Sequence, residues 1–233
     1  MTLKTAINEV QRLCSLPVTS AVVADGQESQ QLLWSLANRE ARDVIRRHAW
    51  PQLRREHTFT SNTASLQTNG RPANFERIIA GTFWNRASDR ELMGPLEATE
   101  WALAYGEPFT SAIQQYWMLR HDGLHIFPVP TAAEAMAYEY QMTTPVLAAD
   151  GTTFRRQFEA DTDTYVLDEE LLILGVTYRF LKQKGLDYAE ALRDYELALS
   201  TAIGSAKGAK IINLAPEEAD VPLPLIPESG YGQ

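Results

Sequence analysis

Apolar positions change their period twice along the chain. Leu3, Ile7, Val10 and Leu13 recur at helical spacing, which predicts an amphipathic helix over 3–16 with Thr2 as its cap and Pro17 as its stop. A connector over 18–26 follows, with a turn at Asp25-Gly26. A longer helix is predicted from Glu28 to His48, burying Leu33, Leu36, Ala37, Ala41, Val44 and Ile45. Trp50-Pro51 ends it, because proline restricts its predecessor and has no amide proton to donate. Beyond Arg54 the period shortens to two. Strands are predicted over 55–60, 65–68, 75–84 (with a bulge at Gly81) and 135–142, together with a hairpin over 115–130 that turns at Asp122-Gly123. A short helix over 96–105 and a loop or ragged hairpin over 148–159 fill the gaps.

Helical spacing returns at Asp168. Leu171, Leu174, Tyr178 and Leu181 share one face, Asp168 is placed to cap, and Gly185 marks the stop. Asp187 caps a second helix whose apolar side is Tyr188, Ala191, Leu192, Tyr195, Leu199 and Ala202. Two helices at each end and strands between them predict an α+β fold. The expected layout is a four-helix bundle from 1–53 and 160–206, an inserted antiparallel β-rich domain over 54–159, and an extended Pro-rich C-terminal arm over 207–233. In that arm Ile211, Ile212, Leu214, Leu223, Leu225 and Ile226 alternate with prolines and acids. Such a segment is pre-extended; it reads either as a solvated end or as an arm that binds a neighbour.

Composition narrows the function classes. The chain has 233 residues and a net charge of −9, which argues against a protein built mainly to grip nucleic acid. Cys14 is the single cysteine, so no internal disulfide can form. No apolar run is long enough to cross a bilayer, and the first residues lack the apolar stretch of a secretory signal. Charge is nevertheless uneven. Six arginines (Arg39, Arg42, Arg46, Arg47, Arg54, Arg55) face only Glu40, Asp43 and Glu56 over 39–57, giving +3 there and −12 elsewhere. The default reading is a solvated face neutralised by acids of the same chain. The alternatives are a contact surface for an acidic partner and a DNA-binding patch.

Other constellations are weaker. His121 and His125 have an HxxxH spacing, but an Asp-Gly turn separates them, so turn-flanking histidines are expected rather than a metal pair. Asp161 and Asp163 start like a calcium loop, yet Tyr165, Val166 and Leu172 stand where a ligand, a glycine and a glutamate are needed. Capping and turn hydrogen bonds explain them better. No nucleophile elbow, zinc helix, phosphate loop or dinucleotide fingerprint is present, so no catalytic residue, metal ligand or cofactor is assigned.

Three stretches, taken together and in order, resemble tailed-bacteriophage head-to-tail adaptor (connector) proteins, the tail tubular protein A-like family. They are LLWSLANREARDVIRRHAWPQLRREHTFT, FERIIAGTFWNRASDRELMGPLEATEW and FEADTDTYVLDEELLILGVTYRFLKQKGLDYAEALRDYELAL. The resemblance covers most of 1–206. It implies a structural virion protein, made in the host cytoplasm, that joins a homo-oligomeric ring, commonly of twelve copies. Such a ring sits under the portal and above the tail and nozzle proteins. It is added after genome packaging, and DNA passes through its channel without specific binding. The competing reading is a nucleic-acid-binding packaging factor that uses the Arg39–Arg55 segment.

Overall fold

The computed structural model describes residues 1–106 and 114–207. Helix α1 (Leu3–Leu13) is capped by Thr2, whose hydroxyl accepts from the Thr5 amide at 3.4 Å. It ends earlier than predicted, because Ser15 adopts φ 55° and turns the chain before Pro17 is reached. Helix α2 (Glu28–Arg47) buries the six apolar positions expected of it. A helix leaves its last carbonyls unpaired, and here a glutamine from the sheet takes them. Gln141 Nε2 donates to Ile45 O at 2.8 Å and to His48 O at 3.1 Å.

Among the described residues the strands form three antiparallel sheets. In the largest, β1 (Arg54–Thr60) runs along the full length of β8 (Ala135–Met142), in register from Arg54–Gln141 to Thr60–Ala135. The other edge of β8 is shared by β3 (Phe75–Ile78) and β4 (Trp84–Asn85), and β5 (Arg90–Glu91) extends β4. The single strand predicted over 75–84 is therefore two. Gly81 sits at φ +73°, a left-handed conformation that breaks the ladder and sends β3 and β4 to different ends of β8. The predicted hairpin forms as β6 (Tyr116–Arg120) and β7 (Gly123–Phe127), and β2 (Leu66–Gln67) joins its outer edge. Short strands β9 (Val146–Leu147), β10 (Phe154–Arg155) and β11 (Thr164–Tyr165) make the third sheet. Helix α3 (Ala98–Gly106) lies beside β7, with Trp101 edge-on to His125 and Phe127.

Helices α4 (Glu169–Gln183) and α5 (Ala189–Lys207) are the predicted hairpin, joined at Gly185 with φ 70°. Asp168 and Asp187 each accept an amide two residues on, at 3.0 and 3.1 Å. The four-helix bundle expected from the sequence is not formed. A bundle needs each helix to pack against two neighbours around a shared axis. Instead α1, α2 and α5 each pack on α4, and no other pair of these helices packs closely.

The reason lies in α4 itself. Leu171, Leu172, Ile173, Gly175, Val176, Tyr178 and Phe180 are buried, so the helix is apolar on several sides and takes a partner on each. Leu174 and Leu181, placed on its single predicted face, are only half-buried. The fold is α+β, with five α-helices among the described residues, and the sheets rather than a bundle organise its core. One continuous cluster runs from Leu3 and Ile7 through Val44 and Leu53 to Phe83, Ile126 and Tyr138.

Candidate functional site

Arg39, Arg42 and Arg46 follow each other at three- and four-residue spacing on α2, the geometry of neighbours on one helix face. The acids of the same segment point the other way. Glu40 is fully buried; it accepts from Arg179 Nε at 2.5 Å and from the Tyr195 hydroxyl. Asp43 accepts from Arg179 Nη2 at 2.7 Å. Burial works against the Arg179 charge, but Glu40 beside it more than offsets this and raises its pKa. Burial first, and Glu40 second, push the Tyr195 phenol far up, so it remains a donor. Glu40 and Asp43 are thus committed to Arg179, and Glu56 to Arg86. Arg39, Arg42, Arg46, Arg47, Arg54 and Arg55 form no ion pair with another described residue.

The structure splits the six arginines. Arg39, Arg42 and Arg46 make an open strip, with Arg39 and Arg46 exposed and Arg42 half-buried. Arg47 leans over the Tyr195 ring at 5.5 Å. Arg55 covers Phe154 at 5.1 Å, and Arg54 is half-buried, donating to Ala49 O at 3.5 Å. Two cations from distant segments join the strip. Lys182 and Arg39 flank a cavity of about 160 Å³ with Leu36 and Tyr178, and Arg156 lines a crevice with Arg42, Arg46 and the carboxylate of Glu76, which forms no ion pair with them. Sequence reasoning missed Lys182 and Arg156, since no local pattern links them to α2. It also missed the Glu40–Arg179 pair, for which a signal existed. Glu40 falls four residues after Leu36 and four before Val44, on the buried face.

The remaining candidates serve the backbone. Asp163 is fully buried and accepts from the Glu159 and Ala160 amides at 2.7 and 2.9 Å and from Arg155 at 3.1 Å. Asp161 does more than cap locally: its carboxylate accepts from the Val22 and Val23 amides and fastens the connector between α1 and α2. His125 is buried, with Nε2 2.9 Å from Asp122 and Nδ1 3.3 Å from Ser65 Oγ. That hydrogen bond from His125 holds the Asp122 carboxyl below its ordinary pKa. Burial pushes the Cys14 thiol up. Among the described residues no group of three or more His, Cys, Asp or Glu is placed to hold a metal ion, and no helix is long and apolar enough to cross a membrane. Ile211, Ile212, Leu214, Leu223, Leu225 and Ile226 of the predicted arm lie outside the described residues.

The α+β scaffold thus carries a basic strip whose arginines form no ion pair among the described residues. Residues 1–222 match the family described as SU10 adaptor protein, and the chain belongs to that phage head-to-tail adaptor family. The match does not specify the tail tubular protein A-like branch. A search of curated proteins finds no match to the chain.

Proposed function

We propose that this chain is a structural virion protein that assembles into a ring beneath the portal, extends the DNA channel and connects the capsid to the tail. Membership of the adaptor family supports the general role. The observation that carries the contact role is the α2 strip, whose arginines form no ion pair among the described residues while Glu40 and Asp43 are turned inward. Six arginines held in one segment of a chain with net charge −9 suit subunits or partners that meet basic face to acidic face. The arm over 207–233, with Ile211, Ile212, Leu214, Leu223, Leu225 and Ile226 as its apolar anchors, would reach a neighbouring protein. Electron microscopy of the purified chain mixed with portal rings tests the reading: an added ring of density under the portal is expected. Replacing Arg42, Arg46 and Arg47 with Glu should abolish it, and truncation after Lys210 should leave a folded chain that no longer docks. Portal rings that stay bare with the wild-type chain would overturn the proposal.

The same unpaired strip also favours a second reading, a DNA-packaging factor. Arg39, Arg42 and Arg46, joined by Lys182 and Arg156, make a short strip, which gives such a factor few phosphate contacts. A salt titration with duplex DNA separates the two, because a steep loss of binding with salt belongs to the packaging factor.

A further inference from the structure

A second charged surface lies on the other flank of α4. There a groove of about 450 Å³ between α4 and α5 is lined by Glu170 and Asp194 together with Leu174, Leu197, Ala198 and Ala202. Leu197 is 67% exposed, the profile of an apolar contact left open. Neither Glu170 nor Asp194 pairs with a cation among the described residues. The groove is therefore acidic and apolar, where the α2 strip is basic. The two cannot meet within one chain. Arg179 marks the α2 side of α4 and Leu174 the α5 side; five positions at about 100° each place them roughly 140° apart around the helix.

We infer that the α4–α5 groove receives the Arg39–Arg42–Arg46 strip of a second copy of this chain. The occupant is chosen by charge. A carboxylate-lined groove selects a cationic partner, and this chain presents arginines that form no ion pair among the described residues. Arginine also suits the apolar lining of the groove. Its methylene stem can lie along Leu197 and Ala198 while its guanidinium reaches a lining carboxylate. In return, the 160 Å³ cavity beside Arg39 and Lys182 has room for a single acidic side chain from the facing subunit. Two different patches pointing in different directions make a heterologous contact, which repeats from copy to copy and closes when the rotation allows. The inference rests on the ring reading above and assigns the surfaces that build the ring.

Reciprocal charge reversal in assembled particles tests it. Arg42→Glu with Arg46→Glu, and separately Glu170→Lys with Asp194→Arg, should each lower ring occupancy under the portal at least about tenfold. The four-residue swap should restore occupancy to within about threefold of wild type, because only a partner that carries the groove responds to the reciprocal change. A second measurement does not depend on reversal. With Cys14→Ser as background, Arg46→Cys and Asp194→Cys bridged by a short bis-maleimide should give a ladder of covalent multimers. An intact ring in either reversal variant, failure of the swap to rescue, or absence of the ladder would each overturn the inference while leaving the ring itself standing. A wild-type chain found in particles as a single copy would sink both.

Discussion

The α2–α4–α5 junction and the sheet around β8 are both buried, but they are held by opposite means. At the junction one carboxylate, Glu40, serves a guanidinium from α4 and a phenol from α5, and Gly175 lies so close that a Cβ there would collide with it. Around β8, Phe59, Tyr138 and Tyr140 of the sheet pack ring against ring with Phe83 and with Trp117 of β6, at centroid distances of 5.1 to 6.3 Å. A buried ion pair depends on every member, since removing one leaves a charge without solvent or partner. Aromatic packing is spread over many weak contacts and tolerates changes that conserve volume. One region specifies geometry, the other supplies burial.

Matched conservative substitutions should expose that difference. Glu40→Gln keeps the size but leaves Arg179 with only the half-exposed Asp43 carboxylate, and should cost about 3 kcal/mol of unfolding free energy in chemical denaturation. Gly175→Ala comes next, at about 1–3 kcal/mol, because the added methyl must displace the Glu40 side chain. Around β8, Phe83→Leu should cost less than about 1.5 kcal/mol. A loss there equal to that of Glu40→Gln would erase the contrast. Tyr138→Phe removes one hydrogen bond, at 2.5 Å to Gly70 O, and should cost about 1 kcal/mol.

The smallest effect lies at the exposed hairpin turn. The Asp122 carboxyl is held below its ordinary pKa by its hydrogen bond to His125, so it contributes stability above the unfolded value of about 3.9 and loses it as the pH falls through the lower folded value. Asp122→Asn should therefore reduce the difference in denaturation midpoint between pH 7 and pH 3. A difference as large as that of wild type would show that the pair does not matter to folding.

Local structure was legible where a local cause exists. Thr2, Asp168 and Asp187 cap the helices they were expected to cap, and β8 runs over the predicted residues. Arrangement was less legible. Spacing shows that a helix has an apolar face but not what covers it, so four amphipathic helices suggested a bundle. The uninterrupted apolar run from Leu171 to Val176 held the corrective, because a helix apolar on several sides is an interior hub. At the candidate site the arginines of α2 were visible, and their lack of ion pairs among the described residues was not. That lack depends on Arg179, more than a hundred positions away, drawing Glu40 and Asp43 inward. Gln141, which closes the end of α2 from within a strand, left no trace in the spacing either.

The pairing of β1 with β8 also orders events in time. Arg54 and Gln141 are 87 positions apart, and β1, β3 and β4 all precede the strand that joins them. On the ribosome those strands emerge first and wait with their edges open until residue 142 has been made. The α1 helix, at the start of the chain, waits longer still for α4. Contacts so distant in sequence slow folding and prolong the exposure of strand edges. Nascent chains that stop before α4 are thus expected to be substrates for chaperones and proteases rather than shorter adaptors.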